Sequence, residues 1–213
     1  MKKELICFDM DNTLVKSNKV HLRGFQKSFE KNHLRKVSDS QVLKYFGLIG
    51  EVLVKSIYPE LTKEQIKKIV RDHDDFVVKE THKYAKAIPG VIRVLKKLKK
   101  THKIAILTNC KHKEIVPVLK SAGIDKNLFN LVLGNDDVKH GKPYPDEIFK
   151  AEKLLHVKSA YMVGDSIYDI QAAKKAKAKG IAVLTGDHTK AQLKKEKPFM
   201  IIKSVRSLPR RLK

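Results

Sequence analysis

Two carboxylates set two residues apart, Asp9 and Asp11, follow directly on the apolar run Leu5-Ile6-Cys7-Phe8. If that run is a buried strand, the turn after it carries both acids out at the carboxyl edge of a sheet, where open α/β sheets bind their ligands. Acids are costly there without partners. Three later stretches can supply them, each near another apolar run. They are Thr108-Asn109 after Ile104-Ala105-Ile106-Leu107, Lys142 within Gly141-Lys142-Pro143, and Asp165 with Asp169 after Tyr161-Met162-Val163-Gly164. Brought together, the four stretches make one site of acids, a cation and a hydroxyl.

The elements that must position them follow from apolar spacing. After Asp11 the pattern turns helical, with Leu22, Phe25 and Phe29 three and four residues apart, and a second helix is expected over 38–45. Gly47-Leu48-Ile49-Gly50 breaks the pattern, and Thr62 with Gln65 reads as a capping box opening a long helix that turns Ile66, Ile69, Val70 and Val77 to one side. Residues 17–86 carry hardly a strand signal and read as an all-helical insertion. Beyond Ile88-Pro89-Gly90, helices expected at 90–100, 112–122, 145–156 and 166–177 alternate with strands at 103–108, 131–134, 160–164, 180–184 and 199–202. Such alternation implies an α/β fold with a parallel, doubly wound sheet. The end, Pro209-Arg210-Arg211-Leu212-Lys213, reads as a frayed tail.

Bulk properties narrow the classes of function. With 213 residues the chain has room for one well-cored domain and a smaller insertion. Neither a run of about 18 apolar residues nor a secretory signal is evident, so no membrane partner is expected. Two cysteines, Cys7 and Cys110, are too few for a disulfide framework, and a reduced cytoplasmic compartment is expected. The 46 Lys and Arg against 23 Asp and Glu give a net charge of +23. Residues 17–86 hold 15 basic and 9 acidic residues, a net +6, which leaves +17 spread over the rest. Pairs such as Lys96-Lys97, Lys99-Lys100 and Lys174-Lys175 lie opposite apolar helix stripes as solvated faces should, so nucleic-acid binding is not expected.

The ordered set Phe-Asp-Met-Asp-Asn-Thr-Leu, Leu-Thr-Asn, Gly-Lys-Pro and Gly-Asp-Ser-Ile-Tyr-Asp resembles the four motifs of the haloacid dehalogenase superfamily, most closely its phosphoglycolate-phosphatase-like branch. The resemblance runs from about Lys3 to Leu208. It implies a Rossmann-like catalytic core, 1–16 and 87–213, and a helical cap domain, 17–86, inserted after the first strand and hinged near 15–18 and 85–89. It also implies a Mg²⁺-dependent phosphatase acting on a small phosphorylated metabolite, as a monomer or homodimer. Asp9 is then the nucleophile that takes the phosphoryl group, and Asp11 the acid and base for the leaving oxygen and the attacking water. Asp9, Asp165 and the backbone carbonyl of Asp11 would hold Mg²⁺, with Asp169 behind them. Lys142 would bridge Asp9 and a phosphoryl oxygen, while Thr108 and Asn109 hold the others. His21 is expected at the hinge side of the substrate.

Other readings remain open at this stage. A phosphomutase would use the same residues, but Leu48-Ile49-Gly50 lacks the basic residue that mutases of this fold often carry there. A basic nucleic-acid-binding protein on a hydrolase fold is the third, opposed by the complete set of acids, Lys142 and Thr108. Two departures from the pattern stand out: Asn12 where relatives often have Gly, and Lys177 where a glycine usually ends a helix. Lys177 either adopts a left-handed backbone or lets the helix run on toward Gly180.

Overall fold

A computed structural model of the chain describes residues 3–210 and 212. Strand β1 (Leu5–Phe8) is fully buried, and its alternation serves two cores at once. Ile6 and Phe8 face one hydrophobic cluster, Leu5 and Cys7 another. A two-residue strand, β2 (Val15–Lys16), then leads into α1 (Asn18–Lys31), α2 (Asp39–Leu43), α3 (Gly50–Ile57) and α4 (Lys63–Lys79). β3 (Lys86–Ala87) returns antiparallel to β2, pairing Val15 with Ala87 and Lys16 with Lys86, so both chain crossings of the helical insertion are tied together.

From there the alternation is regular: α5 (Val91–Thr101), β4 (Lys103–Leu107), α6 (His112–Ser121), β5 (Leu131–Leu133), α7 (Asp146–Leu155), β6 (Ser159–Gly164), α8 (Ile167–Lys175), β7 (Lys179–Val183), α9 (Lys190–Lys195) and β8 (Met200–Ile202). The six-stranded sheet has the order β5-β4-β1-β6-β7-β8, parallel throughout. The chain moves outward through β4 and β5, then crosses to the other side of β1, which makes the carboxyl end of β1 the topological switch point.

The four helices of the insertion pack on their own core, centred on Phe25, Phe29, Leu53, Tyr58, Ile66 and Ile69. Capping boxes open α2 at Ser38 and Gln41 and α4 at Thr62 and Gln65. The segment after Gly47 does more than break a pattern. Gly47 takes φ of +92° and the chain enters α3 at Gly50, a helix not expected from the sequence because its eight residues give barely two turns of periodicity. α9, at six residues, escaped notice for the same reason. Of the expected frayed tail, 209–213, Pro209 and Arg210 continue the 3₁₀ turn Val205–Arg210 and Leu212 packs against the core with its amide donating to Leu208 O at 3.2 Å, while Arg211 and Lys213 lie outside the described residues.

Lys177 resolves its two alternatives. α8 stops at Lys175 and Lys177 adopts φ of +59°, the left-handed conformation that glycine takes without strain. Replacement by glycine, Lys177→Gly, is therefore expected to stabilise the fold by about 0.5–1 kcal/mol, read as a higher urea midpoint at unchanged slope. A lower midpoint would contradict the strain.

Candidate active site

Four strand ends deliver the site. Asp9 leaves β1 with its amide donating to Val163 O at 2.9 Å, and the Thr108 amide donates to Leu133 O at 3.1 Å, so each loop starts anchored to a neighbouring strand. Asn12 tightens the first turn at φ of +53°. Asp9, Thr108, Lys142, Asp165 and Asp169 are all buried. Asp11 and Asn109 are partly exposed, and His21 reaches in from α1.

Lys142 is the centre of the arrangement. Its Nζ donates to Asp9 Oδ1 at 2.6 Å, Asp169 Oδ1 at 2.7 Å and Leu107 O at 2.9 Å. All three ammonium hydrogens thus have acceptors. Asp169 serves two purposes. Its Oδ2 accepts from the Ser166 amide at 3.0 Å and hydroxyl at 2.6 Å, closing the capping box of α8, while Oδ1 takes Lys142. Gly164 is required beneath it, because a Cβ there would stand 2.2 Å from the Asp169 carboxyl.

Burial pushes the Asp9 carboxyl up to about 7; Lys142 opposes the rise, and Asp169 and Asp11 add to it. Asp165 accepts a hydrogen bond from Thr13 Oγ1 at 3.0 Å, and burial, with Asp9 and Asp169 nearby, pushes its carboxyl well above the usual range. Gly186 makes room for it: a Cβ there would lie 1.8 Å from Asp165 Oδ2. Carboxylate oxygens of Asp9, Asp165 and Asp169 lie within 4.8 Å of one another. An oxygen-only set with more buried negative charge than one ammonium balances fits a hard divalent cation such as Mg²⁺.

Asp11 sits in a second polar group. Its Oδ1 meets His21 Nε2 at 3.0 Å, and its Oδ2 accepts from Cys110 Sγ at 3.0 Å and Thr108 Oγ1 at 3.5 Å. Burial alone would raise the Asp11 carboxyl, but the His21 charge and the bonds from His21 and Cys110 outweigh it and hold the group well below the usual range. His21 mirrors this. Burial favours its neutral ring, yet Asp11 raises it to about 9, so it is an imidazolium near neutral pH. His21 Nδ1 in turn meets His73 Nε2 at 3.4 Å, and His73 Nδ1 meets Asp74 Oδ1 at 3.0 Å.

The helical insertion is closed over these groups. Asn109 Nδ2 donates to Gly47 O at 2.7 Å and to Lys142 O at 3.0 Å, so the Asn109 side chain ties the 47–50 loop to the core. Lys111 and Lys113 on the core side reach Asp74 and Asp75 on α4 at 3.1 Å each. Between the two halves lies a cavity of about 90 Å³, room for a small molecule. The structure therefore brings Asp9, Asp11, Lys142, Asp165, Asp169, Thr108, Asn109 and His21 to one cavity or its immediate wall.

Thr13, Cys110, His73, Asp74, Glu114 and Gly186 were missed from sequence. His73 carried a signal, since it lies three residues after Val70 and four before Val77 on the buried stripe of α4.

The His21–Asp11 pair has a pH signature. A histidine raised from 6.5 to about 9 contributes stability that is complete below pH 6.5 and is lost as pH rises through about 9. In metal-free buffer the melting temperature of wild type is expected to exceed that of His21→Gln most at about pH 6, the gap closing by about pH 10. A gap constant over that interval would contradict the pair.

The family model of haloacid dehalogenase-like hydrolases matches residues 6–183. The chain is 31% identical over 208 residues to a putative pyrophosphatase PpaX of Caldanaerobacter subterraneus, spanning 96% of this chain and 92% of that protein. It is 27% identical over 213 residues to pyrophosphatase PpaX of Bacillus anthracis, spanning 98% and 96%. A solved predicted phosphoglycolate phosphatase from Haemophilus somnus shares the fold with a TM-score of 0.85 at 24% identity, over 99% of this chain and 98% of that one. A haloacid dehalogenase-like hydrolase from Bacteroides fragilis does so with a TM-score of 0.89 at 21% identity, over 97% and 100%. The chain belongs to the haloacid dehalogenase-like hydrolases.

Proposed function

We propose that the protein is a Mg²⁺-dependent phosphatase that hydrolyses a small phosphomonoester, phosphoglycolate-like or a sugar phosphate, through an aspartyl phosphate on Asp9. The observation that carries this reading is the Lys142 bridge. A buried carboxylate held at 2.6 Å by an ammonium is kept oriented at the floor of a closed cavity, with a second acid two residues away. In the first step an Asp9 oxygen bonds to phosphorus as the bond to the ester oxygen breaks, and the leaving oxygen takes the proton that the His21 imidazolium shares with Asp11. The His21–Asp11 hydrogen bond at 3.0 Å holds that proton in place. In the second, a water oxygen bonds to phosphorus, its proton returns to Asp11, and the Asp9–phosphorus bond breaks.

Thr108 and the main-chain amides after Asp9 would receive phosphoryl oxygens. Asp9, Asp165 and the Asp11 carbonyl would hold Mg²⁺, which supplies positive charge to the transferred phosphoryl group when bound. Asp169 positions Lys142. Closure of the helical insertion excludes bulk water around these groups. The names of the PpaX relatives support a phosphorus–oxygen bond as the target. The absence of a cation from Leu48-Ile49-Gly50 weighs against a mutase. We propose a cytoplasmic setting with no membrane or nucleic-acid partner.

Asp9→Asn is expected to lower kcat on any phosphoester substrate by about three orders of magnitude or more. Chelation of divalent cations is expected to abolish wild-type turnover and added Mg²⁺ to restore it. Near-wild-type turnover by Asp9→Asn would overturn the assignment of the nucleophile.

A further inference from the structure

The wall of the cavity away from Asp9 is short of positive charge. Among the described residues two ammonium groups line the cavity, Lys142 and Lys111. Lys142 is committed to Asp9 and Asp169. Lys111 Nζ is held 3.1 Å from Asp74 Oδ2 and 3.6 Å from Glu51 Oε1, and the His21 imidazolium is held by Asp11. Three carboxylates that line the cavity lie beside Lys111: Glu51, Asp74 and Glu114.

Glu114 is the telling member. It is 2% exposed, and its Oε2 accepts the Lys111 amide at 3.0 Å, which caps the first turn of α6. Its Oε1 is buried without a hydrogen-bond donor among the described residues. The ring nitrogen nearest it, His73 Nδ1, is 3.6 Å away and turns to Asp74 Oδ1 at 3.0 Å instead. A buried acceptor left without a donor is unfavourable, and a ligand that brings one relieves it. His21 and His73 stand beside Glu114, and Phe25, Phe46, Leu53 and Val70 also line the cavity.

We propose that Glu114, with Asp74 behind it, sets substrate choice: the preferred phosphomonoester has a leaving alcohol that carries no anionic group and presents a hydroxyl or ammonium donor to Glu114 Oε1. This rests on the phosphatase reading above and, of its two substrate classes, selects the sugar phosphate over the phosphoglycolate-like one. A polyol phosphate or an amino-alcohol phosphate meets both conditions. Pyrophosphate, whose leaving group is a second phosphate, and phosphoglycolate, whose leaving alcohol carries a carboxylate, bring negative charge to a wall whose cations are already paired. Burial raises the Glu114 carboxyl above its usual range, a shift that an incoming ammonium would reverse.

The test compares kcat/KM of the full chain with Mg²⁺ on glycerol phosphate, ethanolamine phosphate, phosphoglycolate, pyrophosphate and an aryl phosphate. Wild type is expected to favour glycerol or ethanolamine phosphate over both anionic substrates by about tenfold or more. Glu114→Gln keeps the capping acceptor and removes the charge, and is expected to shrink that preference by about tenfold, chiefly through KM for the anionic substrates. Should Glu114→Gln melt far below wild type, Asp74→Asn carries the same expectation in the same direction. Wild-type preference for pyrophosphate or phosphoglycolate, or a preference unmoved by the substitutions, would overturn the proposal. Hydrolysis of the aryl phosphate without the expected preference would sink the specificity alone. No turnover of any of the five would sink the phosphatase reading with it.

Discussion

One buried ammonium holds the site together. Lys142 answers two carboxylates and a strand-end carbonyl that approach from β1, β4 and α8, and it is the cation that meets both buried acids. Removing one partner of such a buried pair costs about 3–5 kcal/mol, because the charges left behind lose both water and counter-ion. The same bonds fix where the Asp9 carboxyl points. Stability and chemistry therefore share a single contact, and the strand ends are placed by it as much as by the sheet.

The sheet supplies the convergence that a linear chain cannot. β1 lies in the middle with β4 and β6 on its two sides, so loops separated by about a hundred residues end a few ångströms apart. Close approach demands small residues where carboxylates turn inward, and Gly164 and Gly186 occupy those places below Asp169 and Asp165. Over this floor the helical insertion contributes two kinds of contact. The Asn109 side chain fastens its loop at Gly47, and Lys111 and Lys113 fasten α4 at its acids.

Much of the core was legible because the six strands of the main sheet are built around apolar runs and each long helix repeats its apolar stripe over several turns. The parallel sheet, α1, α4 and the capping box at Thr62 follow from local pattern alone. Short elements were not legible, since α3 and α9 are too brief to show a period and β2 and β3 have two residues each. Within the site, motif spacing pointed to Asp9, Asp11, Lys142, Asp165 and Asp169, and the structure places them together. What hides from spacing is pairing across the two halves. His73 lies on the buried stripe of α4 with Asp74 beside it, and Glu114 lies in the first turn of α6; spacing does not show which side chains they meet, and folding gathers them around His21. Asn109 shows the opposite limit, since its amide side chain was not expected to be a tie to the 47–50 loop.

Asp169 illustrates how two explanations of one residue can both hold. The helix-capping role and the contact to Lys142 use different oxygens of the same carboxyl. The most direct test of the whole account lies at Asp9. Wild-type protein mixed with substrate and Mg²⁺, quenched within a turnover and reduced with borohydride, should yield a peptide in which residue 9 has become homoserine, the product of a reduced aspartyl phosphate. Homoserine at another aspartate, or none at residue 9 while phosphate is being released in a burst, would contradict it.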